Sequence, residues 1–553
     1  MYKIIIHNQQ YSDYEVVNSN SFKVMSDINI NPLQEKLFNN DNFDIIDNNI
    51  ICKHSMIRSN KYLAGVLDLS RTHGKVKKKF LYKCKPDDKR LPPFIIPYEK
   101  KYSFNKNITK IYITFEFLKW DSTAPYGQIT QIIGPVNELN NFYEYLLYTK
   151  SLNCSIQKFT KDAIRQIKNR TNEEIIKDMQ TSNNIPTRDK QSYYIFTIDN
   201  DHSNDHDDAL SWNTETQTLS IYISNVALIM DHLDLWSSFS NRISSIYLPD
   251  RKRPMLPSVL SECLCSLKEG EHHITYVLDI KIINNEIISH DLSICNAYIS
   301  KNFTYTDTII DECKEYSYIK SFFKTTRNSD TVHKSMTYFN KYIAKVLLEN
   351  KRGIFKNLVQ EKDSTIPTYL PENIQTHIQI LRNNSASYAE YSNQKYKSLT
   401  DNSIDVYLQA TSPIRRLVDL LNNIQILSII QKNNISDSSK EFYNNWLNRL
   451  EYINISSRAI RKIQFKCDIL VQHEKNKKDN PDKIYDGYIF DRCEKPNDKK
   501  YQYMIYIPEI RLTCGVTESE YFENYSRQQF KIYVFHDEDT FKKKIKLHII
   551  SDS

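Results

Sequence analysis

Apolar and polar positions divide the chain into stretches with different periods. Residues 1–150 contain short apolar segments, such as 111–118 and 126–133, separated by Asn, Asp and Pro. This pattern is typical of small antiparallel barrels. Residues 336–350 have the apolar spacing of a buried helix instead, and residues 193–198 form a short apolar run of strand type. The pattern predicts an α/β middle region that follows a β-rich start.

The last part of the chain returns to strand-like segments. Residues 473–483 are polar and predict a solvated hairpin or linker. Closely spaced apolar segments at 485–489 and 503–508 follow, and they predict another small barrel. The domains are therefore placed at residues 1–60 (a shortened first barrel), 61–150 (a second barrel), 151–472 (the α/β domain) and 484–553 (a last barrel).

Composition narrows the class of protein only a little. The chain has 553 residues, a formal net charge of +7 and a pI of about 8.6, which permits a polyanionic partner without requiring one. Basic tracts at 75–79 and 542–546 suit a phosphate backbone, although solvated surfaces carry such tracts too. Ten cysteines without paired spacing, no signal peptide and no membrane-spanning run favour an intracellular protein, located in the cytoplasm with the nucleus as the alternative. We also expect a monomer.

The most informative segment is an acidic loop directly after the apolar run 193–198. Five aspartates occur within ten positions: Asp199, Asp201, Asp205, Asp207 and Asp208. Crowded carboxylates repel one another and raise one another's pKa unless a cation lies among them. Oxygen ligands of this kind suit a hard divalent ion, and the loop predicts a Mg²⁺ site.

Other interpretations of this loop are a Ca²⁺ loop, an acidic surface turn, a histidine metal site and an HD-type site. A Ca²⁺ loop starting at Asp199 would place Asn204 where glycine is needed and Leu210 where glutamate is needed. A plain acidic surface turn also fits an isolated aspartate-rich segment. His202 and His206 lie four residues apart and could ligate a metal, and the His206-Asp207 pair is similar to HD-type phosphohydrolases, but no second His/Asp motif accompanies it.

Two further segments give the acidic loop a context. Residues 247–257 read YLPDRKRPMLP, and residues 411–416 read TSPIRR, with Asp419 three positions later. In this order and spacing the three segments resemble the catalytic domain of the RNase II family, also called the RNB family. Members of that family are processive exoribonucleases that degrade RNA from the 3′ end and release nucleoside 5′-monophosphates. The resemblance implies an α+β multidomain protein, with an RNB-type domain flanked by OB or cold-shock-type barrels.

The flanking barrels are similar to the same family. Residues 65–70, 85–92 and 120–135 resemble the cold-shock-type OB barrel that precedes the catalytic domain, and residues 484–550 resemble the C-terminal OB barrel that holds RNA. The eukaryotic exosome member carries an extra N-terminal endonuclease domain, and we expect no exosome tethering of that kind here.

The resemblance also assigns roles within the acidic loop. Asp199, Asp205, Asp207 and Asp208 fall on the family's four metal-cluster aspartates, and Asp201 is additional. Asp199 and Asp208 would hold the principal Mg²⁺, and Asp207 would be the catalytic acid whose loss abolishes activity. One or two Mg²⁺ ions are expected, and Mn²⁺ could replace them.

Three more residues receive roles in RNA binding. Arg415 would contact the scissile phosphate, Tyr247 would stack on a base near the 3′ end, and Arg416 would bind RNA or be purely structural. Ser412 and Pro413 predict a helix start with both arginines in its first turn. An alternative for Arg415 is an ion pair with Asp419, four residues later.

Departures from the family pattern mark a divergent member. Leu417 replaces an aromatic residue, Asn423 and Ile424 replace a His-Arg pair, and residues 223–226 lack the usual His/Ala-Asp. We predict a Mg²⁺-dependent exoribonuclease that acts on single-stranded RNA. A catalytically weakened RNA-binding protein of the same fold and an exonuclease acting on DNA are the alternatives.

Overall fold

The computed structural model describes residues 1–47, 49–99, 109–357, 366–383, 387–391, 406–432, 434–479, 483–495, 500–536 and 543–550. Contacts divide the chain into two compact units. The first contains Met1–Asn153, Leu248–Asp250 and Lys462–Ser553, and the second contains Cys154–Tyr247 and Arg251–Arg461. No helix among the described residues is both long and apolar enough to cross a membrane.

The chain begins with a four-stranded antiparallel sheet. Its strands are β1 (Tyr2–Ile6), β2 (Tyr14–Asn18), β3 (Asn42–Ile46) and β4 (Asn49–His54), in the order β2-β1-β3-β4, and the short helix α1 (Met56–Ser59) follows. Over the described residues this sheet is open, so the shortened barrel predicted for residues 1–60 is not observed there. The face that carries Ile4, Ile6 and Phe43 belongs to the same apolar core as the next domain.

A closed barrel follows the open sheet. It consists of β5 (Leu63–Val76), β6 (Lys79–Pro86), β7 (Phe94–Tyr98), β8 (Lys110–Lys119) and β9 (Tyr126–Pro135), in the order β5-β6-β7-β9-β8, and α2 (Leu139–Thr149) comes next. Gly65 allows close strand contact, because a Cβ there would lie 2.7 Å from Cys84 Sγ and 2.9 Å from a Phe115 ring carbon. This is the barrel predicted for residues 61–150.

The second unit is built around a six-stranded mixed sheet. The strands are β10 (Thr187–Arg188), β11 (Ile195–Asp199), β12 (Asp208–Asn213), β13 (Thr218–Ser224), β16 (His272–Ile283) and β17 (Glu286–Thr304), in the order β10-β17-β11-β12-β13-β16. Two small ladders pair β14 (Ile246–Tyr247) with β15 (Lys252–Arg253), and β18 (Ile354–Asn357) with β19 (Ser387–Glu390). Strand β11 is parallel to β17 and antiparallel to β12.

The helices of the second unit surround a buried central one. They are α3 (Gln157–Ile167), α4 (Asn172–Ser182), α5 (Val226–His232), α6 (Lys314–Phe322), α7 (Asn328–Glu349), α8 (Glu372–Asn383), α9 (Leu417–Ile430) and α10 (Asp437–Leu447). Single turns of other helical types lie at Trp236–Ser238, Leu260–Leu264 and Ile309–Glu312. Helix α9 is buried on all sides over its first twelve residues, and its buried Asn422 and Asn423 side chains donate to the backbone oxygens of Ile354 and Ala410. Helix α7 covers all but the last residue of the helix predicted at 336–350 and begins eight residues earlier.

The C-terminal part contains α11 (Leu450–Asp479) and a five-stranded antiparallel sheet. Its strands are β20 (Ile484–Lys495), β21 (Lys500–Ile507), β22 (Leu512–Glu518), β23 (Arg527–His536) and β24 (Lys543–Ile550), in the order β22-β21-β20-β23-β24, with a turn at Pro508–Ile510. The edge strands β22 and β24 do not pair over the described residues, so the predicted barrel is an open sheet there. The mixed multidomain class with a cold-shock-type barrel is confirmed.

The polar run at 473–483 is not a linker over its described first part. Helix α11 continues to Asp479. Its Ile469 joins the core of the C-terminal sheet, and Glu474 forms a 2.9 Å ion pair with the buried Lys543. The polar residues are therefore the end of a helix whose apolar side chains are already covered, and hydrophilicity alone did not distinguish these two cases.

Candidate active site

The acidic loop joins two neighbouring strands of the six-stranded sheet. Asp199 is the last residue of β11, and Asp208 is the first residue of β12. The loop is fixed by backbone contacts, because His206 N donates to Ser266 Oγ at 3.0 Å and Leu267 N donates to His206 O at 3.0 Å. The strand ends and these contacts bring the aspartates to one edge of the sheet.

One cavity of about 1030 Å³ contains all the residues predicted to form the site. Its walls come from the acidic loop, β14 and β15, helix α7 and the 411–416 segment. The predicted residues that line it are Asp199, Asp205, Asp207, Asp208, Tyr247, Arg415 and Arg416. Segments that are more than 200 residues apart in the sequence therefore meet at this cavity.

Asp207 is the most constrained of the predicted catalytic residues. Its side chain is 2 % exposed. Oδ1 accepts a hydrogen bond from Ile414 N at 2.9 Å, and Oδ2 accepts one from Arg415 Nε at 3.0 Å. Burial raises the pKa of Asp207 to about 7, although Arg415 and the Ile414 N–H both act to lower it. The 411–416 segment thus holds the predicted catalytic acid directly.

The helix predicted to have Ser412 as its N-cap starts four residues later, with Arg416 at that position. Residues 413–415 form a turn, and α9 begins at Leu417, so the two arginines precede the helix. The cause is long-range pairing: Ser245 N donates to Arg415 O at 2.9 Å, and Leu417 N donates to Ile243 O at 2.9 Å. These bonds keep the backbone at Arg416 extended and override the local signal from Ser412 and Pro413.

The two arginines both donate to Ser412 Oγ, Arg415 through Nη2 at 3.0 Å, but they pair with different carboxylates. Arg416 donates to Asp419 Oδ1 and to Ser412 Oγ, each at 2.9 Å. Asp419 is fully buried and also accepts from Ser412 N at 2.9 Å. The alternative pairing of Arg415 with Asp419 is therefore wrong, and Arg416 forms that ion pair. Arg415 reaches Asp207, and its side chain remains 42 % exposed toward the cavity.

Tyr247 and Asp205 form a second group on the cavity wall. Tyr247 is 41 % exposed, which separates it from the buried core tyrosines of this chain. Its hydroxyl donates to Asp205 Oδ2 at 3.4 Å. Lys252, which the sequence analysis assigned no role, lies with Nζ 2.8 Å from Asp205 Oδ1. The antiparallel β14–β15 ladder places Lys252 opposite Tyr247. Its place in the YLPDRKRPMLP segment, five residues after Tyr247, was the signal that the sequence offered for it.

Asp199 and Asp208 have no arginine or lysine partner among the described contacts. Asp199 Oδ2 lies 2.6 Å from His206 Nδ1, so this histidine orients a carboxylate. Asp208 is half-buried, and its pKa is raised well above the usual range by burial and then by the negative charges of Asp199 and Asp207. A cation beside these two carboxylates would relieve that repulsion.

The donors suit a Mg²⁺ ion held mainly by Asp199 and Asp208. In the part of the chain that the structure describes, no three Asp, Glu, His or Cys side chains converge as a ready metal-binding group. Mg²⁺ does not require such a group, since it is commonly held by one or two carboxylates together with water and substrate phosphates. Asp205 and Asp207 are already neutralised by Lys252 and Arg415.

Comparison with known proteins agrees with this arrangement. Residues 187–347 match the RNB domain, and residues 81–151 match the Dis3-like cold-shock domain 2. The chain therefore carries an RNB domain preceded by a cold-shock domain of the Dis3 type, and the resemblance to the RNB family is confirmed. The four aspartates and Tyr247 lie within the matched RNB segment, whereas Arg415 and Arg416 lie beyond it.

Individual relatives are distant. Ribonuclease R of Buchnera aphidicola (subsp. Schizaphis graminum) is 24 % identical over 326 residues, which cover 54 % of this chain and 42 % of that protein. Ribonuclease R 2 of Lactococcus lactis is 26 % identical over 264 residues, or 43 % of this chain and 38 % of that protein. The chain thus spans less than half the length of these curated relatives.

Solved structures share the fold over most of the chain. Mycoplasma genitalium RNase R, in complex with ribose-methylated single-stranded RNA, superposes with a TM-score of 0.64 at 15 % identity. The superposition covers 99 % of this chain and 100 % of the Mycoplasma chain. Yeast Ssd1, described as a pseudonuclease, superposes with a TM-score of 0.58 at 14 % identity over 85 % of this chain and 66 % of its own. At such identities the superpositions establish the fold alone.

Proposed function

We propose that this chain is a Mg²⁺-dependent exoribonuclease that shortens single-stranded RNA from its 3′ end and releases nucleoside 5′-monophosphates. The observation that carries the proposal is the convergence of four aspartates, Arg415 and Tyr247 on one cavity. A protein that only binds RNA gains nothing from repelling carboxylates placed beside a polyanion. The names of the relatives, Ribonuclease R among them, support the same activity.

Each side chain of the site has a separate role in the proposed hydrolysis. Arg415, fixed by Asp207, would hold the scissile phosphate through its exposed guanidinium nitrogens. Asp199 and Asp208 would hold Mg²⁺, which when bound supplies a polarised water and charge stabilisation at the phosphate oxygens. Cleavage breaks the bond between phosphorus and the 3′ oxygen of the preceding nucleotide. The water oxygen joins the phosphate, and the 3′ oxygen leaves with a proton.

Tyr247 would place the 3′-terminal bases. Its exposed ring offers a stacking surface on the cavity wall, and stacking accepts any base because every base has a π face. This suits an enzyme that removes successive nucleotides regardless of sequence.

A catalytically weakened RNA-binding protein is the second candidate. The observation in its favour is the shared fold with Ssd1, itself described as a pseudonuclease. Arg415 and Asp207 distinguish the candidates physically, because a binding protein would not require a buried carboxylate with a raised pKa beside the phosphate site.

The decisive experiment uses 5′-end-labelled single-stranded RNA and DNA of the same sequence, with Mg²⁺ or with EDTA. We expect a ladder of progressively shorter RNA products in Mg²⁺ and intact RNA in EDTA. Thin-layer chromatography of the released nucleotides should show 5′-monophosphates. Intact RNA in Mg²⁺ with retained binding would instead favour the RNA-binding protein, and equal digestion of DNA would favour the exonuclease acting on DNA.

A further inference from the structure

A lysine to which no role in RNA degradation has been given, Lys252, completes a polar group beside the exposed tyrosine. Lys252 Nζ lies 2.8 Å from Asp205 Oδ1, and the Tyr247 hydroxyl donates to Asp205 Oδ2 at 3.4 Å. The same Nζ lies 5.8 Å from the centre of the Tyr247 ring. All three residues line the cavity, and we call them the Lys252 group.

The backbone holds the Lys252 group in place. Tyr247 and Lys252 face each other across the β14–β15 ladder, so their side chains project from the same face. Asp205 is only 6 % exposed, and a carboxylate so shielded from water requires a cation close by. Lys252 provides that cation, and Asp205 in turn holds the hydroxyl end of a ring whose face remains accessible.

We infer that Lys252 is a positioning residue for the 3′-terminal nucleotides, acting through Asp205 on the orientation of the Tyr247 ring. The inference rests on the proposed function, and it names the contact that sets how short a product the enzyme can still hold. Without Lys252, Asp205 loses its ion pair and Tyr247 loses a fixed partner. The ring then samples other orientations, and short oligomers dissociate before the next cleavage.

A matched control is available in the same unit. Lys320 lies 2.8 Å from Asp311 and 5.7 Å from the centre of the Tyr316 ring, and its side chain is 23 % exposed against 24 % for Lys252. None of Lys320, Asp311 and Tyr316 lines the cavity. Lys320→Met therefore removes an ion pair, here to the more exposed Asp311, and a ring contact at a place that does not line the cavity.

The test compares Lys252→Met, Lys252→Arg and Lys320→Met with the parent. We expect Lys252→Met to raise KM for short oligomers by about fivefold, the lower end of one lost stacking contact, and to keep kcat within about twofold. The final product should become longer. In EDTA, 2-aminopurine at the RNA 3′ end should be quenched less than by the parent. Lys252→Arg should restore quenching and product length, and Lys320→Met should match the parent.

Tyr247→Phe checks the route through Asp205 and serves where Lys252→Met does not fold. It keeps the ring and the ion pair but removes the hydroxyl, and it should weaken quenching in the same direction. Because both changes act through Asp205, the double variant should be no worse than the more severe single variant. Additive effects, or a Lys252→Met variant that behaves like Lys320→Met, would overturn the inference. A parent that leaves RNA intact in Mg²⁺ contradicts only the proposed function, since the quenching measurement needs no turnover.

Discussion

The side chain of Asp207 contributes to the structure of the cavity and, in the proposed function, to its chemistry. It is shielded from water and accepts hydrogen bonds from Ile414 N and Arg415 Nε, two groups that follow it by some two hundred residues. Its charge therefore fixes Arg415, the residue proposed to bind the phosphate, and its position beside Asp208 places it near the predicted metal. A neutral amide could keep one of these hydrogen bonds but would direct an N–H₂ group at the donors of the other.

We predict that Asp207→Asn lowers the rate of RNA degradation by about 100-fold or more, the loss typical of a missing catalytic acid or base. RNA binding should be unchanged or tighter, because one negative charge near the phosphates is removed. Single-turnover digestion and filter binding measure the two effects separately. A variant that digests RNA at the parent's rate would show that the assignment of Asp207 is wrong.

Replacing Arg416 should mainly lower the free energy of unfolding, whereas replacing Arg415 should mainly lower kcat. Arg416→Ala leaves the fully buried Asp419 without its cation, which costs about 3–5 kcal/mol of unfolding free energy. Arg415→Ala should lower kcat by about 100-fold, because a contact to the reacting phosphate is lost. It should destabilise less, since Asp207, with its pKa near 7, can take up a proton when its partner is removed.

Urea denaturation of the two arginine variants measures the loss of stability, and initial rates of RNA degradation measure the loss of turnover. Lys320→Met controls for the loss of an ion pair that does not line the cavity. If Arg416→Ala strongly lowers kcat without lowering the free energy of unfolding, and Arg415→Ala changes neither quantity, the roles of the two residues are reversed.

At the scale of elements, local signals predicted some boundaries and not others. The apolar run before Asp199, and the spacing of 336–350, predicted β11 and helix α7 because their periods reflect burial of the element itself. The turn before α9 depends on hydrogen bonds from residues 243–245, and no local pattern reports such a partner. For the same reason the resemblance brought Asp207 and Arg415 into one site but did not predict their ion pair.

Strand β16 contains a histidine that should make stability depend on pH. His273 is 1 % exposed, and its Nε2 accepts a hydrogen bond from Lys268 N at 3.0 Å. Burial lowers its pKa from 6.5 to about 4. Below pH 6.5 the unfolded chain therefore binds a proton that the folded chain does not, so the contribution of His273 is complete above pH 6.5 and is lost as the pH falls toward 4.

We predict that the parent loses about 2 kcal/mol more unfolding free energy between pH 7 and pH 5 than His273→Gln does. Glutamine can accept the Lys268 hydrogen bond through its amide oxygen but does not titrate. Urea denaturation at both pH values measures the difference. Equal losses in the two proteins would mean that His273 does not carry the effect.

At the scale of the whole molecule, the chain has a net charge of +7, and its two predicted basic tracts differ in exposure. Lys77 and Lys78 form the exposed turn between β5 and β6, and Lys79 follows them at the start of β6. The C-terminal tract is less available, because Lys543 is buried and paired with Glu474. We therefore expect the barrel turn to make the stronger phosphate contacts of the two predicted basic tracts.

The triple variant Lys77→Gln, Lys78→Gln and Lys79→Gln should bind single-stranded RNA more weakly at low salt. It should also show a plot of log affinity against log salt that is shallower by about 0.7 for each lost phosphate contact. The matched variant Lys158→Gln, Lys161→Gln and Lys168→Gln removes the same three charges from exposed positions in and just after α3. It should leave the slope close to that of the parent. If both triple variants flatten the slope equally, only the overall charge matters, and the barrel turn makes no specific contact with the RNA backbone.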